Sequence, residues 1–106
     1  MNIVAVTACP AGLAHTYMAA EAIRKAAIRL GHTIKVETQG SMGMRNELTP
    51  AEIAAADLII FAVDMAVAKV DRFKDRKIYT CNPAQAVRDA TSVVNSAVAS
   101  VTPAAK

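Results

Sequence analysis

Tryptophan is absent from the chain, and only two Phe and two Tyr are present, so the core it forms must be aliphatic. Cysteine is equally sparse. Cys9 and Cys81 lie far apart, with neither C-x-x-C nor Cys/His ligand spacing, which excludes a zinc ribbon and a thioredoxin-type redox pair. No metal or cofactor is expected, and a reducing cytoplasm would leave Cys9 as a free thiol. No apolar run approaches the roughly 18–20 residues of a membrane-spanning helix. A strand-like segment follows Met1 at once, so no secretory leader or anchor is expected. The net charge is only +3, and the basic residues form no stripe interleaved with aromatics, so nucleic-acid binding is not expected.

What is present is alanine, 23 of 106 residues, within a hydrophobic fraction of 54%. That length predicts one domain able to bury a core without disulfides or metal. We read it as 1–101, with 102–106 (TPAAK) as a tail or the start of a linker.

Residues 2–8 (NIVAVTA) are short, apolar and β-branched, as a strand buried on both faces would be. Over 13–30 the apolar positions Ala14, Met18, Ala22, Ala26 and Leu30 recur every four residues, which predicts a helix with Met18 in its core stripe. Gly31 stands where a left-handed closing residue belongs. Residues 33–38 (TIKVET) alternate, placing Ile34 and Val36 against Lys35 and Glu37, as in an edge strand with one solvated face. Residues 39–48 carry two glycines and little periodicity, and are expected to form a loop in which Met42 and Met44 help dock partners. Thr49-Pro50-Ala51-Glu52 and Asn82-Pro83-Ala84-Gln85 share one grammar: a capping side chain, a first-turn proline and an acceptor three residues on. The first opens a short helix and the second a last helix to about 101. Between them, 58–63 (LIIFAV) reads as a central strand ending at Asp64, 66–73 as one or two helical turns, and 77–81 (KIYTC) as a fourth strand.

Strand and helix alternating four times imply an α/β fold: a four-stranded parallel sheet with helices on both faces, Rossmann-like. Two doubly buried strands and two edge-like ones favour the order 2-1-3-4. In that order the crevice beyond the first and third strands is the expected ligand site, and Cys9 falls there.

The stretch 8–16 (ACPAGLAHT) joins the first strand to the first helix. It aims the backbone N–H groups of 11–16 at one small region, with the positive end of the helix dipole behind them. Gly12 permits close approach, and Pro10 stiffens the exit from the strand. The same field stabilises a thiolate. Cys9 is thus a candidate nucleophile, with Pro10, Ala11, Gly12, Leu13, Ala14, His15 and Thr16 as its phosphate-binding loop. The spacing C-x5-H-T is the frame of the phosphotyrosine phosphatase loop, C-x5-R-[ST], with histidine in place of arginine. A lone imidazole cannot form the two-pronged grip of a guanidinium on phosphoryl oxygens, which disfavours efficient hydrolysis but not formation of a thiophosphate.

The segments TACPAGLAHTYMAAEAI, VETQGSMG with Asn46 and Leu48-Thr49 after it, and AADLIIFAVD resemble the fructose-specific IIB domains of the bacterial phosphoenolpyruvate-dependent sugar phosphotransferase system. The resemblance spans about residues 2–100, and implies a phosphocysteine carrier, a subunit of a protein-phosphohistidine–sugar phosphotransferase. The cysteine matching Cys9 would accept a phosphoryl group from phosphohistidine of a IIA component. It would then pass the group to a sugar held by a membrane-embedded IIC component, so the expected location is cytoplasmic, at the inner face of the membrane. The family loop usually reads C-P-T-G-[IV]-A-H-T, and this chain departs from it at Ala11 and Leu13.

Several residues carry two readings. His15 is either a first-turn hydrogen bonder or a phosphoryl donor weaker than arginine, and Thr16 either a start-of-helix hydroxyl or a donor to the thiolate. Asp64 either caps the turn after its strand or neighbours the site. Cys81 reads as packing. Beside the carrier stand two other functions: a small phosphatase-like hydrolase using the Cys9 loop, and a non-catalytic anion-binding regulatory module.

Overall fold

The computed structural model, which describes residues 1–9, 13–40 and 43–101, runs β1 (Asn2–Ala8), α1 (Leu13–Arg29), β2 (Thr33–Gly40), β3 (Gly43–Arg45), α2 (Pro50–Ala55), β4 (Leu58–Val63), a 3-10 turn (Val70–Phe73), β5 (Ile78–Cys81), α3 (Pro83–Arg88) and α4 (Ala90–Val101). The expected 102–106 tail lies outside the described residues. The sheet order is β3-β2-β1-β4-β5. Its four parallel strands take the order read from the sequence, with β1 between β2 and β4 and β5 beside β4.

Alternation divides the core between two faces. Ile3 and Ala5 of β1, with Leu58, Ile60 and Ala62 of β4, pack on Ala19, Ile23, Ala26 and Ala27 of α1 and on Val93, Val94 and Ala97 of α4. Val4, Val6, Ile59 and Phe61 point the other way, onto Ile53 of α2, Leu48 and Phe73. There Phe61 and Phe73 meet edge to face, ring centroids 4.9 Å apart, so two of the few aromatics consolidate the thinner layer. Both capping boxes form: Thr49 with Glu52, and Asn82 with Gln85. Gly31, at φ +88°, closes α1. Its N–H donates to Ile28 and that of His32 to Ala27, the paired bonds of a left-handed helix stop.

Four expectations are corrected. Residues 43–45 form an antiparallel strand, with Gly40 opposite Gly43 and Thr38 opposite Arg45, so the sheet has five strands and the 39–48 segment is partly a hairpin. A three-residue strand is too short to show a period. Met18 is 51% exposed, because steps of four residues drift about 40° each around an α-helix; the buried stripe is Thr16, Ala19, Ile23, Ala26 and Ala27. The supposedly solvated face of β2 carries Glu37 with no exposed surface, covered by Arg72. The last helix breaks at Asp89 (φ −152°), whose carboxylate accepts from the N–H of Ser92 at 3.2 Å and its hydroxyl at 2.9 Å, and so starts α4 as a new helix.

Candidate functional site

The parallel register of β1 and β4 sets the site. Ala8 stands opposite Val63 as the last pair, so the next residues, Cys9 and Asp64, leave the sheet side by side. The chain reaches β2 on one flank of β1 and β4 on the other, and between two such strands an open α/β sheet leaves a crevice. The Asp64 N–H donates to the Ala8 carbonyl at 3.2 Å, extending the ladder by one bond. Cys9, 5% exposed, directs its thiol at Asp64 Oδ2 over 3.8 Å. Asp64 itself is exposed. The nucleophile candidate is therefore a buried thiol with the Asp64 carboxylate beside it at the strand ends.

Pro10, Ala11 and Gly12 of the candidate loop lie outside the described residues, as do the side chains of Leu13 and Ala14. Beyond them His15 is exposed and Thr16 fully buried. Thr7 of β1 donates its hydroxyl to the Thr16 carbonyl at 3.0 Å in a buried bond. This tie fixes the first turn of α1 against the end of β1, and so aims the helix start at the crevice. The Thr16 hydroxyl is buried and has no partner among the described residues. Such a group is uncommon in a folded protein and calls for an explanation; here it lies in the turn that faces the strand end.

Cys81 ends β5, one strand further out, in the apolar layer with α1 and α4. Burial pushes its thiol up from the ordinary range, which favours the protonated form of this second sulfur. A groove of about 710 Å³ lies between α1 and the β2–β3 hairpin, lined by Tyr17, Arg24, Thr38 and Arg45 among others. Neither Cys9 nor Asp64 lines it, and we place the site at the strand ends on the chemistry of those groups.

Sequence reasoning missed the Glu37–Arg72 pair. Arg72 holds both Glu37 oxygens, at 2.7 and 3.0 Å. Burial works to raise the Glu37 carboxyl, but hydrogen bonds from Arg72, the Leu48 N–H and Gln39 outweigh it and hold the group below the usual carboxylate range. The only signal was a glutamate between Val36 and Thr38 near the end of a strand.

Residues 4–96 match the family model described as PTS system, Lactose/Cellobiose specific IIB subunit. The fructose-like EIIB component 2 of the Escherichia coli K12 PTS system is 47% identical over 94 residues, 89% of either chain. The PTS system fructose-specific EIIB'BC component of Vibrio cholerae is 50% identical over 98 residues, which are 92% of this chain but 17% of that protein. Among solved structures, a domain of the fructose-specific IIABC component of Borrelia burgdorferi superposes with a TM-score of 0.85 at 42% identity, covering 90% of each chain. Among the described residues, no helix is long and apolar enough to cross a membrane.

Proposed function

Because the chain belongs to the IIB family of the sugar phosphotransferase system, we propose that it is a phosphocysteine carrier, with Cys9 as the nucleophile and residues 10–16 as the phosphate cradle. The observation that carries this reading is the placement of Cys9 at the end of β1, its thiol turned to the Asp64 carboxylate in the crevice between the two central strands. The domain is 1–101, and 102–106 is a tail or the start of a linker. The donor is phosphohistidine of a IIA component. The acceptor is a sugar held by a membrane IIC component, to which some relatives are fused by name. The EIIB relatives are named fructose-specific or fructose-like, whereas the family description names lactose and cellobiose. Identity over the whole domain favours fructose. The protein works on the cytoplasmic side of the membrane.

In the first step the Cys9 thiol gives up its proton toward Asp64 or water. The sulfur attacks phosphorus, an S–P bond forms as the P–N bond breaks, and the imidazole of the donor leaves with a proton. In the second a sugar hydroxyl attacks the same phosphorus and gives up its proton to water, an O–P bond forms as the S–P bond breaks, and Cys9 leaves as thiolate. Catalysis consists of positioning and of fixed amides that stabilise charge on the phosphoryl oxygens. The unpaired Thr16 hydroxyl supports a further donor at the helix start, directed at the sulfur or the phosphoryl group, and His15 is the exposed donor at the loop's end.

Incubation with a phosphorylated IIA component, read by intact mass, should add one phosphoryl group, and Cys9→Ser should remove the signal. The same protein should not turn over phenyl phosphate. Turnover would mean a hydrolase, and neither label nor turnover would mean an anion-binding module.

A further inference from the structure

The most completely buried charge in the described structure serves neither the sheet ladder nor an apolar core. Glu37 has no exposed surface; its oxygens accept from the Leu48 N–H at 2.8 Å, from Gln39 and from Arg72, and the last two of these also reach one short turn after β4. Arg72 spends every guanidinium N–H direction on this cluster. Nη1 donates to Glu37 Oε1 and to the Leu48 carbonyl (2.7 and 3.0 Å), Nη2 to Glu37 Oε2 and the Ala68 carbonyl (both 3.0 Å), and Nε to the Lys69 carbonyl (2.8 Å). Gln39 completes it. Its amide N–H groups reach Glu37 Oε2 and the Ala68 carbonyl, while its oxygen accepts from the Ala68 N–H at 2.9 Å. A side chain of β2 thereby grips both polar groups of one backbone residue, as a neighbouring strand would.

What is gripped is the far end of the Asp64 turn. Residues 64–68 leave β4 with the Asp64 N–H tied to Ala8 at one end and are held at Ala68 by Gln39 and Arg72 at the other. Gln39 is also the register partner of Ala8, so the clasp starts at the level of the residue that precedes Cys9. A buried ion pair is often no more stabilising than apolar packing, which leaves its geometric effect as the better account of the three bonds that Gln39 and Arg72 place on Ala68.

We infer that Glu37, Arg72 and Gln39 are positioning residues for the transfer site, holding the 64–68 turn so that the Asp64 carboxylate stays at the Cys9 thiol. The inference takes its purpose from the phosphocysteine reading, but its test needs only the thiol.

The test is the rate at which iodoacetamide alkylates Cys9 in the whole chain at neutral pH, followed by mass with peptide mapping to separate Cys81. A carboxylate beside a thiol disfavours its ionisation, so Asp64→Asn should alkylate about fivefold faster, the factor for one unit charge near 4 Å in water. Gln39→Ala removes two of the three clasp bonds on Ala68 without leaving a buried charge unpaired. It should raise the rate about twofold in the wild-type background and not at all in the Asp64→Asn background, the signature of two residues acting through one group. Arg72→Lys keeps the charge but loses the fork, and should behave likewise. Equal acceleration in both backgrounds would mean that the variants merely expose the sulfur, and would overturn the proposal. So would unchanged rates for Gln39→Ala and Arg72→Lys, or for Asp64→Asn itself. None of these rates depends on a phosphoryl donor, so failure of the carrier reading would show separately, as absence of label on Cys9.

Discussion

Replacing Asp64 by asparagine removes one charge from the site while preserving size and shape. In the free protein the carboxylate oxygen lies 3.8 Å from the Cys9 sulfur. When Cys9 carries a phosphoryl group, close to two negative charges reside on oxygens two bonds beyond that sulfur. Asp64 is exposed, so the dielectric of water is the right one to use. At about 4 Å in water a pair of unit charges interacts by about 1 kcal/mol, and two such repulsions give about 2 kcal/mol. At 1.4 kcal/mol per tenfold, that is up to about 30-fold in an equilibrium constant. Asp64→Asn should therefore shift the phosphoryl equilibrium between IIA histidine and Cys9 toward phosphocysteine by about 10- to 30-fold. The assay mixes the two proteins at several ratios and reads the phosphorylated fractions by intact mass. Onward transfer to sugar should slow in the same variant, because the repulsion that assisted departure is gone. An equilibrium that stays put, or moves toward the free thiol, would refute the claim that this carboxylate acts on the phosphocysteine.

Three other outcomes follow from the packing. Glu37→Gln strands Arg72, whose side chain is 11% exposed, and should cost about 3–5 kcal/mol at neutral pH in urea unfolding. The folded Glu37 carboxyl is held below its ordinary range. Its stabilisation is thus complete above the unfolded value of about 4.3 and is lost as pH falls through the lower folded value. Wild-type urea midpoints should drop between pH 5 and pH 3 more than those of Glu37→Gln; parallel curves would remove the pair as a source of acid sensitivity. Glu21, Glu52 and Asp89 are also held low by local hydrogen bonds, but they are common to both proteins and cancel in the comparison. Cys81, whose thiol burial pushes up, should resist iodoacetamide in the folded chain and react once the chain is unfolded; fast native labelling would contradict its packing. Gly31→Ala places a Cβ where nothing lies within 4 Å, so only the backbone at φ +88° opposes it. A loss of about 1–2 kcal/mol is expected in thermal unfolding, and none would mean that α1 can end another way.

Local signals were legible because both partners of each lie within one turn of chain. Thr49 with Glu52, Asn82 with Gln85, and Gly31 after α1 needed no knowledge of the fold. The parallel sheet was legible because strands buried on both faces lose the polar half of their alternation, as 2–8 and 58–63 do. The buried partner of Glu37 was not, since Arg72 lies 35 residues away and a strand alternating Val-Glu-Thr looks solvated until something covers it. Nor was the break at Asp89, because Val87, Val93 and Val94 continue an apolar pattern across it. At the site, the residue types from Cys9 to Thr16 pointed to a phosphoryl nucleophile. Asp64 read there as either a turn cap or a site neighbour, and choosing between the two required the register that pairs Ala8 with Val63, which no local pattern encodes.

The same register bears on why such a site would hand a phosphoryl group on. A hydrolase of this loop frame grips the phosphoryl oxygens with the guanidinium fork of its loop arginine; here position 15 is histidine. Arg72 cannot serve as a substitute without giving up Glu37, a fully buried carboxylate that would then lack its counter-charge, at a cost of several kcal/mol. Arg45 lies over the Tyr17 ring, 6.0 Å from its centroid, across the groove that Cys9 does not line. On the proposed cradle a phosphoryl group would have amides, an imidazole and a hydroxyl as donors, with the Asp64 carboxylate beside the sulfur. Strong donors would stabilise the phosphocysteine as a resting state, whereas a weak cradle opposed by a carboxylate keeps it close in free energy to its donor. That near balance is what a carrier requires, because each phosphoryl group taken from histidine must leave again for the sugar.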